Sequence, residues 1–249
     1  MFLKYFIVTV VTVSCVRSAE KPSKVIPPYV KQCIRNDPKL VDCIIQALNH
    51  IKPYLKQGIK EIELPPVEPF KLDSLSLALT GGTNGYKITL KDIDAYGASD
   101  FIIQKIIAHS NSPFEGKIKI PRMTLDAKYL SSGVLLVIPA TGNGTFHADL
   151  DDIWVNIKGN ISNYKKKSKE YYRLDNLDIE LDIKKSHMKV SNINNNRIIG
   201  EATNLFLAEN SQEVIQVMMP QLRPKLTDII IRIINQLLSN VSTDVFYKN

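Results

Sequence analysis

The stretch from Asn210 to Asn240, NSQEVIQVMMPQLRPKLTDIIIRIINQLLSN, constrains the fold of this 249-residue chain more than any other. Leu222, Leu226, Ile229, Ile233 and Leu237 recur at three- and four-residue spacing, the period of a helix. Ile230, Ile231, Ile234 and Leu238 widen that stripe until apolar surface covers most of the cylinder. A helix of this kind has to be buried in a bilayer or in protein. A bilayer does not serve, because Pro220, Arg223, Pro224, Lys225, Asp228 and Arg232 break the run well short of the ~20 apolar residues that spanning requires. The helix would be roughly 45 Å long, more than a small domain is wide. The rest of the chain is therefore expected to wrap around it.

The first residues point to export. Lys4 precedes the apolar run Phe6–Val13, and small residues follow at Val16-Arg17-Ser18, so residues 1–18 read as a signal peptide cleaved after Ser18 or Ala19. Removal takes Cys15 with it and leaves Cys33 and Cys43, an even pair that in a secreted chain reads as a disulfide stapling the N-terminal segment to the first helix. Sequons at Asn143, Asn160 and Asn240 predict exposed positions open to glycosylation. The net charge of +7 falls by two when Lys4 and Arg17 leave, and it is too spread out to call for a nucleic-acid partner.

Asp37 reads as an N-cap with Pro38 at the first helical position, and Leu40, Val41, Ile44, Ile45, Leu48 and Ile51 form the apolar stripe of a first helix. Pro53 should loosen its last turn and Gly58 should end it. From Ile59 the period shortens to two. Ile59–Leu64, Leu72–Thr80, Tyr86–Lys91, Gly116–Ile120 and Leu177–Lys184 read as strands wet on one face and dry on the other, which is the pattern of an antiparallel sheet. Gly133–Ile138 is apolar on both faces and reads as a central strand, while Gly81–Gly85 and Gly142–Gly144 read as turns. No helix-forming stretch of any length is found between Ile59 and Leu205, only strands and turns. The fold class is α+β: one elongated domain, residues 19–249, with a strongly curved antiparallel sheet around a long C-terminal helix. Side chains fill so long a wrap poorly, and a channel is expected beside Met218 and Met219, whose flexible thioethers suit varied apolar partners or fill a core equally well.

Catalytic patterns are missing. His50, His109, His147 and His187 have no metal-ligand spacing, and His147, Asp149 and Asp151 read as a solvated strand end rather than as a metal site. No nucleophile elbow, HExxH, P-loop or dinucleotide fingerprint is present, and Ser99 lies in a loop without the Gly-x-Ser-x-Gly frame. The expectation is therefore no enzyme, no metal and no cofactor. Tyr164–Arg173, basic and aromatic, reads as an exposed hairpin turn, with docking on anionic lipid or a receptor as the other reading. Trp154 points outward if Ile153, Val155 and Ile157 point in. Phe146, Ala148 and Leu150 keep the opposite parity, so the facing pattern is expected to switch near Asp151-Asp152.

An ordered set of segments resembles the takeout / juvenile hormone-binding protein family of secreted insect proteins. The set comprises Cys33 and Cys43, Gly58-Ile59-Lys60-Glu61, Leu64 to Phe70, Ile120-Pro121 to Tyr129, Gly133 to Pro139, Gly142-Asn143-Gly144, and Gly200, Asn204, Leu205-Phe206-Leu207 and Asn210 running into the long helix, with Phe246 beyond it. Departures are Val67-Glu68-Pro69-Phe70 after the first helix, Ala127 where the family has Gly, and Ala208 where it has Asn. The resemblance implies a sheet wrapped around the C-terminal helix, enclosing an elongated hydrophobic tunnel, as in the lipid-binding modules of bactericidal/permeability-increasing proteins. It also implies a carrier of juvenile-hormone-like terpenoids, fatty-acid-like lipids or odorants.

The leading expectation is a secreted, monomeric carrier of a small elongated lipophilic ligand, lined by Phe146, Leu150, Val155, Met218, Met219, Leu222 and Leu226 on their facing pattern. The alternative is an extracellular signalling protein with a filled core, acting through its outer surface on a receptor or in transient contact with a membrane.

Overall fold

The computed structural model describes residues 26–78, 85–108, 113–135, 138–139, 141–191 and 197–248. The leader at 1–18, His109, Leu136-Val137 and most of the Gly81–Gly85 turn lie outside them.

A disulfide joins Cys33 in the short strand β1 (Cys33–Ile34) to Cys43 in helix α1 (Leu40–Gln57). The helix begins two residues later than its sequence suggests. Asp37 caps the preceding turn instead, its Oδ1 accepting from the Lys39 amide at 2.8 Å. Pro53 is accommodated inside α1, and Gly58, at φ 81°, ends it where a Cβ would meet Leu64 O at 2.9 Å. Ile59–Leu64 is not a strand. It is a loop closed on itself by reciprocal Ile59–Leu64 backbone hydrogen bonds of 2.9 and 3.0 Å, which brings Ile59, Ile62 and Leu64 into one buried cluster. Alternation over six residues does not separate a strand from such a loop.

One antiparallel, half-barrel sheet of six strands follows. Its order is β2 (Phe70–Ala78), β3 (Lys87–Tyr96), β5 (Phe114–Ser132), β8 (Gly142–Lys166) and β9 (Lys169–Ser191), with β4 (Ile102–Ile107) on the other half of β5. Two expectations fail here. Gly133–Ile138 is no central strand, since β6 (Val134–Leu135) and β7 (Ile138–Pro139) form a separate two-stranded sheet, with one isolated bridge from Val134 to Gly85. Gly142–Gly144 is the start of β8 rather than a turn. A Cβ on Gly144 would lie 1.9 Å from Ser191 O and 3.1 Å from the Tyr129 ring, so glycine is what allows β8 to pair closely there.

The long central strands change face together. In β5, Ile118 and Ile120 point into the core, then Met123, Leu125, Ala127 and Tyr129; in β8, Phe146, Ala148 and Leu150, then Ile153 and Val155. In β9, Leu177, Ile179, Leu181 and Ile183 give way to Met188 and Val190. The register aligns Ile120 with Ile153 and Ile183 on one side of the switch, and Met123 with Leu150 and Ser186 on the other. Pro121-Arg122, Asp151-Asp152 and Lys184-Lys185 thus form one crease across the sheet, with Asp152 at φ 56°. This is the switch that the parity of β8 predicts.

Helix α2 (Arg197–Leu238) starts earlier than its apolar run and bends at Asn210, where φ and ψ are −123° and 20°. Beyond it come α3 (Thr243–Phe246) and β10 (Tyr247–Lys248), which pairs in parallel with β1. The C-terminus is thereby tied to the disulfide-bearing segment.

Candidate functional site

The inner face of the sheet meets α2. Apolar residues of β3, β5, β8 and β9 form one large core, against which Met219, Ile230, Ile231, Ile234 and Leu238 of the helix pack. A second core, made by Tyr29, Ile51, Ile59, Ile62, Leu64 and Val241, takes Ile233 and Leu237 of the same helix. Met218, Leu222, Leu226 and Ile229 form a further apolar row on the helix, at helical spacing. All four are half-buried, and none belongs to either core of the described residues. Of the seven lining residues read from the sequence, the structure places Phe146, Leu150, Val155 and Met219 together in the large core. Met218, Leu222 and Leu226 lie on the unclaimed row.

Side-chain amides of α2 hold it against both free edges of the sheet. Asn204 accepts from the Val190 amide at 2.8 Å and donates to its carbonyl at 2.9 Å, and Asn235 makes the same pair of bonds to Leu174 at 2.8 and 2.9 Å. Both partners are on β9. On the opposite edge Gln221 accepts from the Ala78 amide of β2 at 2.9 Å and donates to the Ala78 carbonyl. A carboxamide carries one donor group and one acceptor side by side, as a neighbouring strand would, so each residue stands in for the missing strand. Ser211 and Gln212 add bonds to Ser186 O and Lys184 O. The helix is fixed to both edges of the wrap.

Tyr129 Oη and Arg223 Nε are among the buried side-chain atoms that have no hydrogen-bond partner among the described residues. Tyr129 stands on the inner face of β5 at 6% exposure. Burial, then the nearby Tyr86, pushes its hydroxyl up to about 12, so it is a neutral donor. Sequence reasoning missed both residues. Tyr129 was visible only as part of a family pattern, and Arg223 as an interruption of an apolar run.

The outer face carries charge. Arg122 lies 2.9 Å from Asp149 and 3.8 Å from Asp151, and His147 Nδ1 lies 2.7 Å from Asp126. The cation beside Asp149 and Asp151 is thus an arginine, and Arg122 first of all holds the Asp149 carboxyl below its usual range. Trp154 points outward, beneath Lys117 and Lys119 at 4.7 and 5.2 Å from its ring centre. A groove of about 330 Å³ crosses β4, β5, β8 and β9, lined by Lys105, Lys117 and Lys158 against Glu115, Asp178 and Glu180. Its mixed charges do not suit an apolar molecule. The Tyr164–Arg173 segment forms the β8–β9 hairpin end, with Tyr164 stacked on Tyr171 at 5.8 Å. Asn143, Asn160 and Asn240 are all exposed. No helix of the described residues is long and apolar enough to cross a membrane.

Comparison with known proteins agrees with this arrangement. The chain is 21% identical to the circadian clock-controlled protein daywake of Drosophila melanogaster, over 98% of this chain and 96% of that one. Its fold is similar to the crystal structure of Takeout 1 of Epiphyas postvittana, with a TM-score of 0.77 at 18% identity, covering 88% of this chain and 100% of that chain. The family model of the haemolymph juvenile hormone binding proteins matches residues 7–248, nearly the full length. The chain belongs to the haemolymph juvenile hormone binding protein family.

Proposed function

We propose that this protein is a secreted carrier that takes up a small, elongated lipophilic molecule between the sheet and α2. Carriage of lipophilic ligands is the family's activity. The observation that carries the reading is the row Met218, Leu222, Leu226 and Ile229, which is apolar, half-buried and packed into neither core. Without an occupant, such a row leaves apolar surface unburied. An apolar occupant gains about 25 cal/mol for each Å² it covers. Tyr129 offers a dry donor to any oxygen the ligand carries, a division between apolar lining and few polar anchors that is usual for small-molecule sites. On this proposal the chain is exported behind a cleaved leader at residues 1–18, folds as one domain over 19–249, acts as a monomer and carries sugar on the exposed sequons. Juvenile-hormone-like terpenoids, fatty-acid-like lipids and odorants all have suitable shape.

The test is uptake of a fluorescent apolar probe. Exchanging Met218 and Met219 together for lysine should abolish uptake while the fold, followed by circular dichroism, persists. Undiminished uptake by a folded double variant would remove these residues from the lining.

A further inference from the structure

We propose that Arg223 is the anchor for a carboxylate, and that the ligand class is a long-chain monocarboxylic acid rather than a neutral ester or alcohol. This rests on the carrier reading and adds the chemistry of the ligand's polar end.

Arg223 lies on the helical row that runs through Ile215, Met219, Ile230 and Ile234, at spacings of eight, four, seven and eleven residues. Ile215 is buried in the large core, and the other three pack against it. A residue in the middle of that row faces the same side as its neighbours. Arginine is the one charged side chain there, and it is half-buried rather than exposed, unlike Lys225 two positions on. Its Nε is buried and has no hydrogen-bond partner among the described residues. An unpaired buried donor on a charged group is costly, and the cost is removed by an anion that reaches it.

The chemistry of that anion follows from the neighbours. The guanidinium edge offers two parallel donors, which match the two oxygens of a carboxylate. Arg223 supplies a single positive charge to its row, balancing a monoanion and leaving a phosphate dianion half-neutralised. On the helix Met219 lies one turn before it, and Leu222 and Leu226 of the unclaimed row flank it. A carboxylate held at Arg223 would let a hydrocarbon chain extend along Met218, Leu222, Leu226 and Ile229. An ester fills the same apolar space but leaves the arginine charge unbalanced.

The experiment titrates the purified full-length chain with 11-dansylaminoundecanoic acid and, separately, with its methyl ester. Wild type is expected to bind the acid about tenfold or more tightly than the ester. Arg223→Met should bring the two affinities together by weakening the acid, with the ester unchanged. Arg223→Lys should restore part of the preference, and Lys225→Met, which removes the same charge from the exposed side, should leave it intact. Equal affinities in wild type, or a preference that survives Arg223→Met, would overturn the assignment while leaving the carrier reading standing. If wild type binds neither probe, the carrier reading fails and the assignment fails with it. Should Arg223→Met not fold, the acid-to-ester ratio of wild type decides, and a ratio near one overturns the proposal.

Discussion

Single residues on the outer face of the sheet set its response to pH. His147 Nδ1 donates to the Asp126 carboxylate at 2.7 Å and its Nε2 lies 3.4 Å from Asp149, and the hydrogen bond to Asp126 is the main reason its pKa is raised above the ordinary 6.5. Protonated His147 therefore adds stability that is complete below pH 6.5 and is lost as pH rises through the raised value. The side chain is 44% exposed, so solvent screens most of the gain. The melting temperature is expected to fall by about 1 °C or less between pH 6 and pH 8 on this account. In His147→Gln that fall should vanish, and an equal fall in the variant would assign it to other groups. Asp149 cannot supply the effect in this window, since its carboxyl is held low by Arg122 and stays ionised throughout.

At the scale of elements, the helix is both the filling of the wrap and its fastening. The amides of Asn204, Asn235 and Gln221 pair with backbone groups that a missing strand would otherwise have taken. Leu174 is 2% exposed, so losing its amide partner leaves a buried N–H and C=O with no route to water. Asn235→Ala should cost about 2 kcal/mol or more in a denaturant titration, against a few tenths for a surface alanine substitution. A cost near zero would mean that water or a shifted strand replaces the amide. Much of this scale was legible in the sequence. The apolar run of α2, the alternation in β9 and the parity switch at Asp151-Asp152 each follow from which residues must avoid water, and that requirement is local. The failures share a different cause. Ile59–Leu64 and Gly133–Ile138 are short apolar runs outside the main sheet, and no periodicity tells such a run from one of its strands. The lengths of β5, β8 and β9 were also hidden, because the crease resets the alternation halfway along each strand. Of the proposed site, the sequence carries the apolar packing alone. Phe146, Leu150, Val155 and Met219 share a core as their facing pattern suggests, whereas the roles proposed for Tyr129 and Arg223 depend on unpaired polar atoms that only packing reveals.

For the whole molecule, the closure of both sheet edges on one helix decides what the protein can do. A half-barrel closed by a helix has an inside, and on the proposed function the row Met218, Leu222, Leu226 and Ile229, which packs into neither core, faces it. The disulfide ties β1 to α1 and the β1–β10 pair ties the C-terminal segment to β1, beside the second core. The central claim is that the space between sheet and helix holds a lipophilic molecule. Native mass spectrometry of the protein purified from its natural source, followed by organic extraction and mass analysis of the extract, tests it most directly. The account predicts one lipophilic molecule per chain, released by the solvent and ending in a carboxylate. A chain of bare polypeptide mass that also fails to take up a fluorescent apolar probe would contradict it and move the function to the outer surface.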